Sequence, residues 1–240
     1  MRYVPIFMDE LIVYTAISHG YDKLKAVPTA WRGKARFLAF LEEMPDESDH
    51  GWEIRPLPQT SSDPCRNAKG PKILPHLHLP GACHSLWIDG SLAIRSTLPL
   101  DQWVGEYLGQ HDLALFSNDY FNCIYEDAKM CRRCGLDHES VIDIQMQKYR
   151  AEGYPTNNGL VDCGVLLRRH TADMARFNEM WHKEIMEGSR RDQLSFNYVA
   201  HKLNFQYQLL PGTYFRNQHF RWIRHAKGRV RLNVKPPHRA

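Results

Sequence analysis

The run Ser85-Leu86-Trp87-Ile88 ends on an acid, a glycine and a hydroxyl, Asp89-Gly90-Ser91. A carboxylate at the end of an apolar strand can bind a divalent cation, and such a cation can hold a diphosphate by bridging its oxygens. An Asp-Gly pair is also an ordinary turn, so Asp89 gains meaning only from its companions. The stretch from Thr15 to Asp22 offers hydroxyls, small residues and a second acid beside Gly20. Together the two stretches would make a nucleotide pocket. A third group is Arg190-Arg191-Asp192-Gln193. At a helix start beside two arginines, Asp192 would be held ionised by the helix dipole and the neighbouring charges. Facing a pocket, it could take a proton from a hydroxyl or accept hydrogen bonds from one; in the first turn of a helix it could equally be a capping residue. Ahead of Asp89, Arg66, Lys69, Lys72 and His76 supply positive charge. Lys72 and His76 are one helical turn apart and would share a face.

The elements that must position these groups read as alternating strands and helices. Leu11 to Ser18 is a continuous β-branched run that suits a central parallel strand buried on both faces. "ARFLAFLEE" fits a strand or a short helix, "WEIRPL" a short strand, and "SLWIDG", "LALFS" and "GLVDCGVLLRR" further strands. Helical patterns occupy "CIYEDAKMCRR", "HESVIDIQMQKYRAEG" and "TADMARFNEMWHKEIMEG". The last sets Met174, Phe177, Trp181 and Ile185 on one face, with Thr171 as N-cap and a stop near Gly188. Ser189 would cap one more helix, "RRDQLSFNYVAHKL", and "LPQTSSDPCRNAKGP" reads as a loop. Strands alternating with helices predict an α/β fold whose ligands sit outside the carboxyl ends of the strands.

Composition narrows the class. The chain has 240 residues, enough for one domain with a sizeable core, and no apolar run of about 18 residues that would span a membrane. Asp9 and Glu10 precede the first apolar run where a secretion signal would carry basic residues, which predicts a cytoplasmic protein. The six cysteines are too sparse for a disulfide scaffold. Cys131 and Cys134 have zinc-knuckle spacing, but no second pair follows them; reduced thiols at a helix end are expected. The net charge is +4, yet no acid follows Asp192, while Lys202, Arg216, Arg221, Arg224, Lys227, Arg229, Arg231, Lys235 and Arg239 do. That end suits something anionic, or is a solvated basic tail. Aromatics interleave it, without any recognised nucleic-acid signature.

Seven motifs now stand in order: "VYTAISHGYDKL", "KILPHLHLP", "SLWIDGSLAI", "HDLALF", "CIYEDAKMC", "YRAEGYPTNNGLVDCGVLLRRH" and "RRDQLSFNYV". In this order they resemble the glycosyltransferase-like domain related to plant mucilage-forming proteins, over about residues 11 to 200. The resemblance implies a single GT-A-like (Rossmann-like) α/β domain with a mostly parallel central sheet flanked by helices. That domain would occupy residues 1–212, with a basic segment over 213–240 partly completing the site. It further implies transfer of a sugar from a UDP- or GDP-type nucleoside diphosphate sugar to a glycan or lipid-linked acceptor, as in polysaccharide biosynthesis. Asp89 and Ser91 take the place of the family's Asp-x-Asp, with Mn²⁺ or Mg²⁺ as cofactor and His219 or His225 as a further ligand. Ser91 departs from the two-carboxylate form, so the metal could bind weakly or be dispensable, with positive side chains on the diphosphate instead. Thr15, Ala16, Tyr21, Lys72, His76 and Arg190 would contact the nucleotide-sugar, while Asp192, Gln193 and Arg191 would carry catalysis. His170 is another pocket candidate, unless it only caps the next helix. Inversion and retention are both open. The basic tail could touch the inner membrane face. Two other classes stay in view: a non-catalytic binder of anionic glycan or nucleic acid, and a ceramidase-like hydrolase, for which neither H-E-x-x-H nor G-x-S-x-G is present.

Overall fold

The structure, a computed structural model, describes residues 11–43, 50–96 and 98–225. Lys227, Arg229, Arg231, Lys235 and Arg239 of the basic tail lie outside the described residues.

Seven strands form one sheet. β1 (Ile12–Ile17), β2 (Arg36–Leu41) and β3 (Glu53–Pro56) lie parallel, and β4 (His84–Ile88) pairs parallel with the other side of β1. β7 (Val161–Arg169) runs antiparallel between β4 and β6 (Leu113–Ser117), and β8 (Gln208–Thr213) closes the far side parallel to β6. The order is β3-β2-β1-β4-β7-β6-β8. Six strands point one way and β7 the other. This is the mostly parallel α/β architecture expected, and "ARFLAFLEE" resolves as strand β2. A ribbon of β5 (Leu92–Ile94) and β9 (Phe220–Trp222), neither foreseen, leans beside it.

β1 is buried along its whole length, because both faces of the sheet are covered. Ile12, Tyr14 and Ala16 join one apolar cluster, Val13 and Ile17 the other. The first cluster receives α4 (Ile124–Arg133), α5 (Glu139–Ala151), α6 (Ala172–Glu187) and α7 (Gln193–Leu203). The second holds Trp31, Trp103 of α3 (Leu100–Tyr107) and Phe220. No helix among the described residues is long and apolar enough to cross a membrane.

Helix α6 matches its sequence signals: Thr171 Oγ1 accepts from Met174 N–H and Gly188 ends it. Two local expectations fail. The turn-rich stretch after Pro58 contains a helix, α1 (Pro64–Ile73), started by Asp63, whose carboxylate accepts from Cys65 N–H, and by Pro64 at the first helical position. Second, α7 starts at Asp192 rather than Ser189. The Ser189 hydroxyl instead accepts from Arg191 N–H and donates to Asp137.

Candidate active site

The strand order reverses between β1 and β4, so the crevice outside their carboxyl ends is where an open α/β sheet binds its ligand. The ends touch: a Cβ on Gly90 would meet Ile17 and Asp22 side chains at 3.0 and 3.1 Å. Here the structure gathers Asp89, Lys72, Lys69 and Asp192. Lys72 Nζ lies 2.9 Å from Asp89 Oδ1 and 2.8 Å from Asp192 Oδ2, and Lys69 Nζ lies 2.7 Å from the same Asp192 oxygen. The two lysines reach this point because α1 packs against β1 and α6 and projects both from adjacent turns. Lys72 is itself held from below: its carbonyl accepts from Arg168 Nη1 at 3.0 Å and from the Tyr14 hydroxyl at 3.3 Å. Trp181 Nε1 donates to the Asp192 carbonyl.

Burial alone would raise the Asp192 acid and lower the Lys72 ammonium. The charges reverse both. Lys69, Lys72 and Arg191 hold Asp192 well below the usual carboxylate range, and Asp192 with Asp89 holds the Lys72 proton more tightly than normal. Asp192 therefore stays an anion with little affinity for a proton.

A second network adjoins the first. Arg191 Nη2 donates to Gln193 Oε1 at 2.8 Å, and Gln193 Nε2 donates to Asp162 Oδ1 at 2.6 Å. Asn118 Nδ2 donates to the same oxygen at 3.1 Å. Asp162 is buried, and its acid is pushed up to about 8 by burial and by the charges of Asp127 and Asp119. Over both networks lies the segment after β8. The Tyr214 ring packs on Gly164 of β7, its hydroxyl is 3.2 Å from Ser91 Oγ, and Asp119 anchors Thr213, Phe215 N–H and Arg216 beside it. Beyond, the rings of Tyr21, His225, Trp222 and Phe215 follow one another along the rim at centroid separations of 4.5, 6.2 and 5.8 Å. The boundary expected at residue 212 falls inside β8.

Of the residues singled out from the sequence, Asp89, Lys72, Asp192, Arg191 and Gln193 meet. Thr15 is buried with its Oγ1 unpartnered, Ala16 packs into the core, and Tyr21 stands half exposed against His225. Others are not brought there. His76 does not share a face with Lys72, because Leu74 breaks the chain between α1 and α2 (Pro75–His78) and His76 turns to Glu179 of α6. Arg190 reaches Leu136 and Asp63 instead. His219 lies at the far end of the ribbon, where Ser96 and Tyr107 hydroxyls occupy both ring nitrogens at 2.9 Å each. His170, at the end of the antiparallel β7, sits at the opposite edge of the sheet beside Ser85. The same reversal brings the start of that strand, Asp162, into the site. An acid inside the apolar "GLVDCGVLL" was the signal for it.

These residues do not make a divalent-cation site as they stand. Asp89 Oδ1 accepts from the Lys72 ammonium and, at 2.7 Å, from Trp87 Nε1. Ser91 is engaged by Tyr214, His225 bonds Asp22 at 3.1 Å, and no three His, Cys, Asp or Glu side chains converge as metal ligands among the described residues. The cysteines are free; Cys131 is buried beside Asp127, and Cys134 ends α4.

The sequence profile of the TOD1/MUCI70, glycosyltransferase-like domain matches residues 52–226. This chain belongs to that family. The matched part of the TOD1/MUCI70 domain carries Lys69, Lys72, Asp89, Asp162 and Asp192, with β1 and β2 ahead of it. A probable hexosyltransferase, MUCI70 of Arabidopsis thaliana, is 28% identical over 152 residues, which are 59% of this chain. The aligned region spans only 26% of the Arabidopsis protein. Among solved structures, mouse xyloside xylosyltransferase 1 in its apo form superposes with a TM-score of 0.46 at 9% identity, covering 84% of each chain. A glycosyltransferase involved in glycosylation of the major capsid of PBCV-1 gives 0.43 at 9% identity, covering 84% of this chain and 81% of its own.

Proposed function

We propose that this domain is a glycosyltransferase that takes a hexosyl or similar group from a UDP- or GDP-type sugar and passes it to a hydroxyl on a glycan or a lipid-linked acceptor. The observation that carries this reading is the convergence of Lys69, Lys72 and Arg191 on Asp192 at the strand-order reversal, with Lys72 shared by Asp89. Departure of a nucleoside diphosphate develops negative charge, and preorganised cations in a partly buried site are the main requirement for stabilising it. Lys69, Lys72 and Arg191 meet that requirement without a metal, so Mn²⁺ or Mg²⁺ is dispensable in this proposal. Asp89 orients Lys72 and stands at the rim, where the ribose or the diphosphate enters. Asp192 is a positioning residue: an acid held so firmly ionised makes a poor general base, which needs a proton affinity near the working pH. Tyr21 stands exposed on the nucleotide side, and the segment from Tyr214 onward closes the site over Gly164. The exposed aromatic rim with Arg216, Arg221 and Arg224 is the face left for the acceptor, or for the surface that carries it.

The test is release of nucleoside diphosphate from a panel of UDP- and GDP-hexoses, with and without oligosaccharide acceptors. Slow release from one donor, accelerated by an acceptor and lost in Lys72→Met, is the expected result. Failure of a folded wild-type protein to turn over any donor would remove the reading.

A further inference from the structure

Two polar atoms beside the cationic cluster are buried with nothing to bond. Asp162 Oδ2 and Arg191 Nε are both unpartnered, and both belong to the Arg191–Gln193–Asp162–Asn118 chain of hydrogen bonds. An unmade hydrogen bond on a buried group carries a full desolvation penalty, and native interiors keep few of them. The atoms differ in kind. Arg191 Nε–H can only donate. Asp162 carries a proton near neutral pH, and Oδ1 already accepts from Gln193 and Asn118, which leaves Oδ2 as the atom that bears it. The groups that set this state are Asp127 from α4, Asp119 and Asn118 from the turn after β6, and Arg191 from the turn before α7, with Tyr120, Cys163 and Tyr214 also close to it.

We propose that Asp162, with Arg191 and Gln193, forms the subsite that binds the hydroxyl groups of the transferred sugar. Hydroxyl groups are ligands that serve both atoms: one can accept from Arg191 Nε–H, and another can accept from or donate to the Asp162 carboxyl. The subsite lies next to the lysines that would hold the diphosphate, because Asp192 and Gln193 are adjacent in the chain and face the two networks respectively. Tyr214 covers it from above through Gly164, two residues along β7 from Asp162. A site built to hydrogen-bond a hydroxyl rejects the analogue that lacks it.

This inference rests on the nucleotide-sugar reading, and calorimetry separates the two. UDP and GDP are titrated against UDP- and GDP-hexoses and their monodeoxy derivatives, into wild type, Asp162→Asn and Asp162→Leu. The wild type should bind one nucleotide-hexose about ten- to a hundredfold more tightly than the bare nucleotide or one deoxy derivative. Asp162→Asn, which imitates the neutral acid, should retain that preference. Asp162→Leu should lose it while binding the bare nucleotide as before. Nucleotide binding without any sugar preference in the wild type would overturn the subsite alone, and that half needs no variant to fold. Equal weakening of nucleotide and nucleotide-sugar in Asp162→Leu would make Asp162 merely structural. Absence of all nucleotide binding would overturn the functional reading and the subsite with it.

Discussion

At the scale of single residues, the site depends on charges that neutralise one another. Lys72 is 4% exposed and touches two carboxylates, one of them as buried as itself. Replacing it by Met removes the cation that Asp89 and Asp192 share and leaves Asp192 to Lys69 and Arg191. Breaking such a buried pair from one side costs roughly 3 kcal/mol, so Lys72→Met should lower the urea midpoint as well as abolish activity. An unchanged midpoint would mean that the contact contributes nothing. Asp162 supplies a second prediction, in pH. Its acid titrates near 8 in the folded chain and about 3.9 in the unfolded chain, so between these values only the native state keeps the proton. The stability this contributes is complete below about pH 4 and is lost as pH rises through about 8. Urea unfolding of wild type should therefore weaken from pH 5.5 to 8.5 relative to Asp162→Asn; parallel curves would contradict it. Asp89 drew notice in the sequence because it ends an apolar strand, and Asp192 because it follows two arginines at an expected helix start; Lys72 was picked for a face shared with His76 that the structure does not form. His76, Arg190 and His219 were misplaced because a break at Leu74, a latch to Asp63 and a buried ribbon are tertiary facts.

At the scale of elements, the reversal of β7 decides which residues reach the site. The pattern of "GLVDCGVLLRRH" announces a buried strand but not its direction, since burial on both faces looks the same either way. Direction sends His170 to one edge and Asp162 to the other. The ribbon of β5 and β9 escaped for a related reason: three-residue strands lack enough alternation to be seen, and they pair across more than a hundred residues of chain. What joins this ribbon to the site is the approach of Tyr214 to Gly164, where any side chain would enter the tyrosine ring. Gly164→Ala should displace Tyr214, break its bond to Ser91 and cost about 1–3 kcal/mol. The expected signs are a lower Tm and faster proteolysis between Gly212 and His225. Unaltered protection of that segment would show that it does not close on β7.

At the scale of the whole molecule, six like-directed strands, two covered faces and one reversal of strand order leave a single edge where β1, β4, β6, the start of β7 and the end of β8 deliver polar side chains. The alternation of strands and helices made that architecture readable, while the strand order, and with it the reversal between β1 and β4, was not. The central claim is that protein cations, not a metal, hold a nucleoside diphosphate at this edge. The measurement that tests it most directly is calorimetric titration of UDP and GDP into wild type and Lys69→Ala, first with Mn²⁺ and then with EDTA. The account predicts that one nucleotide binds with the same affinity in both conditions and about tenfold or more weakly in Lys69→Ala. Binding that appears only with Mn²⁺, vanishes in Asp89→Ala and ignores Lys69 would contradict it.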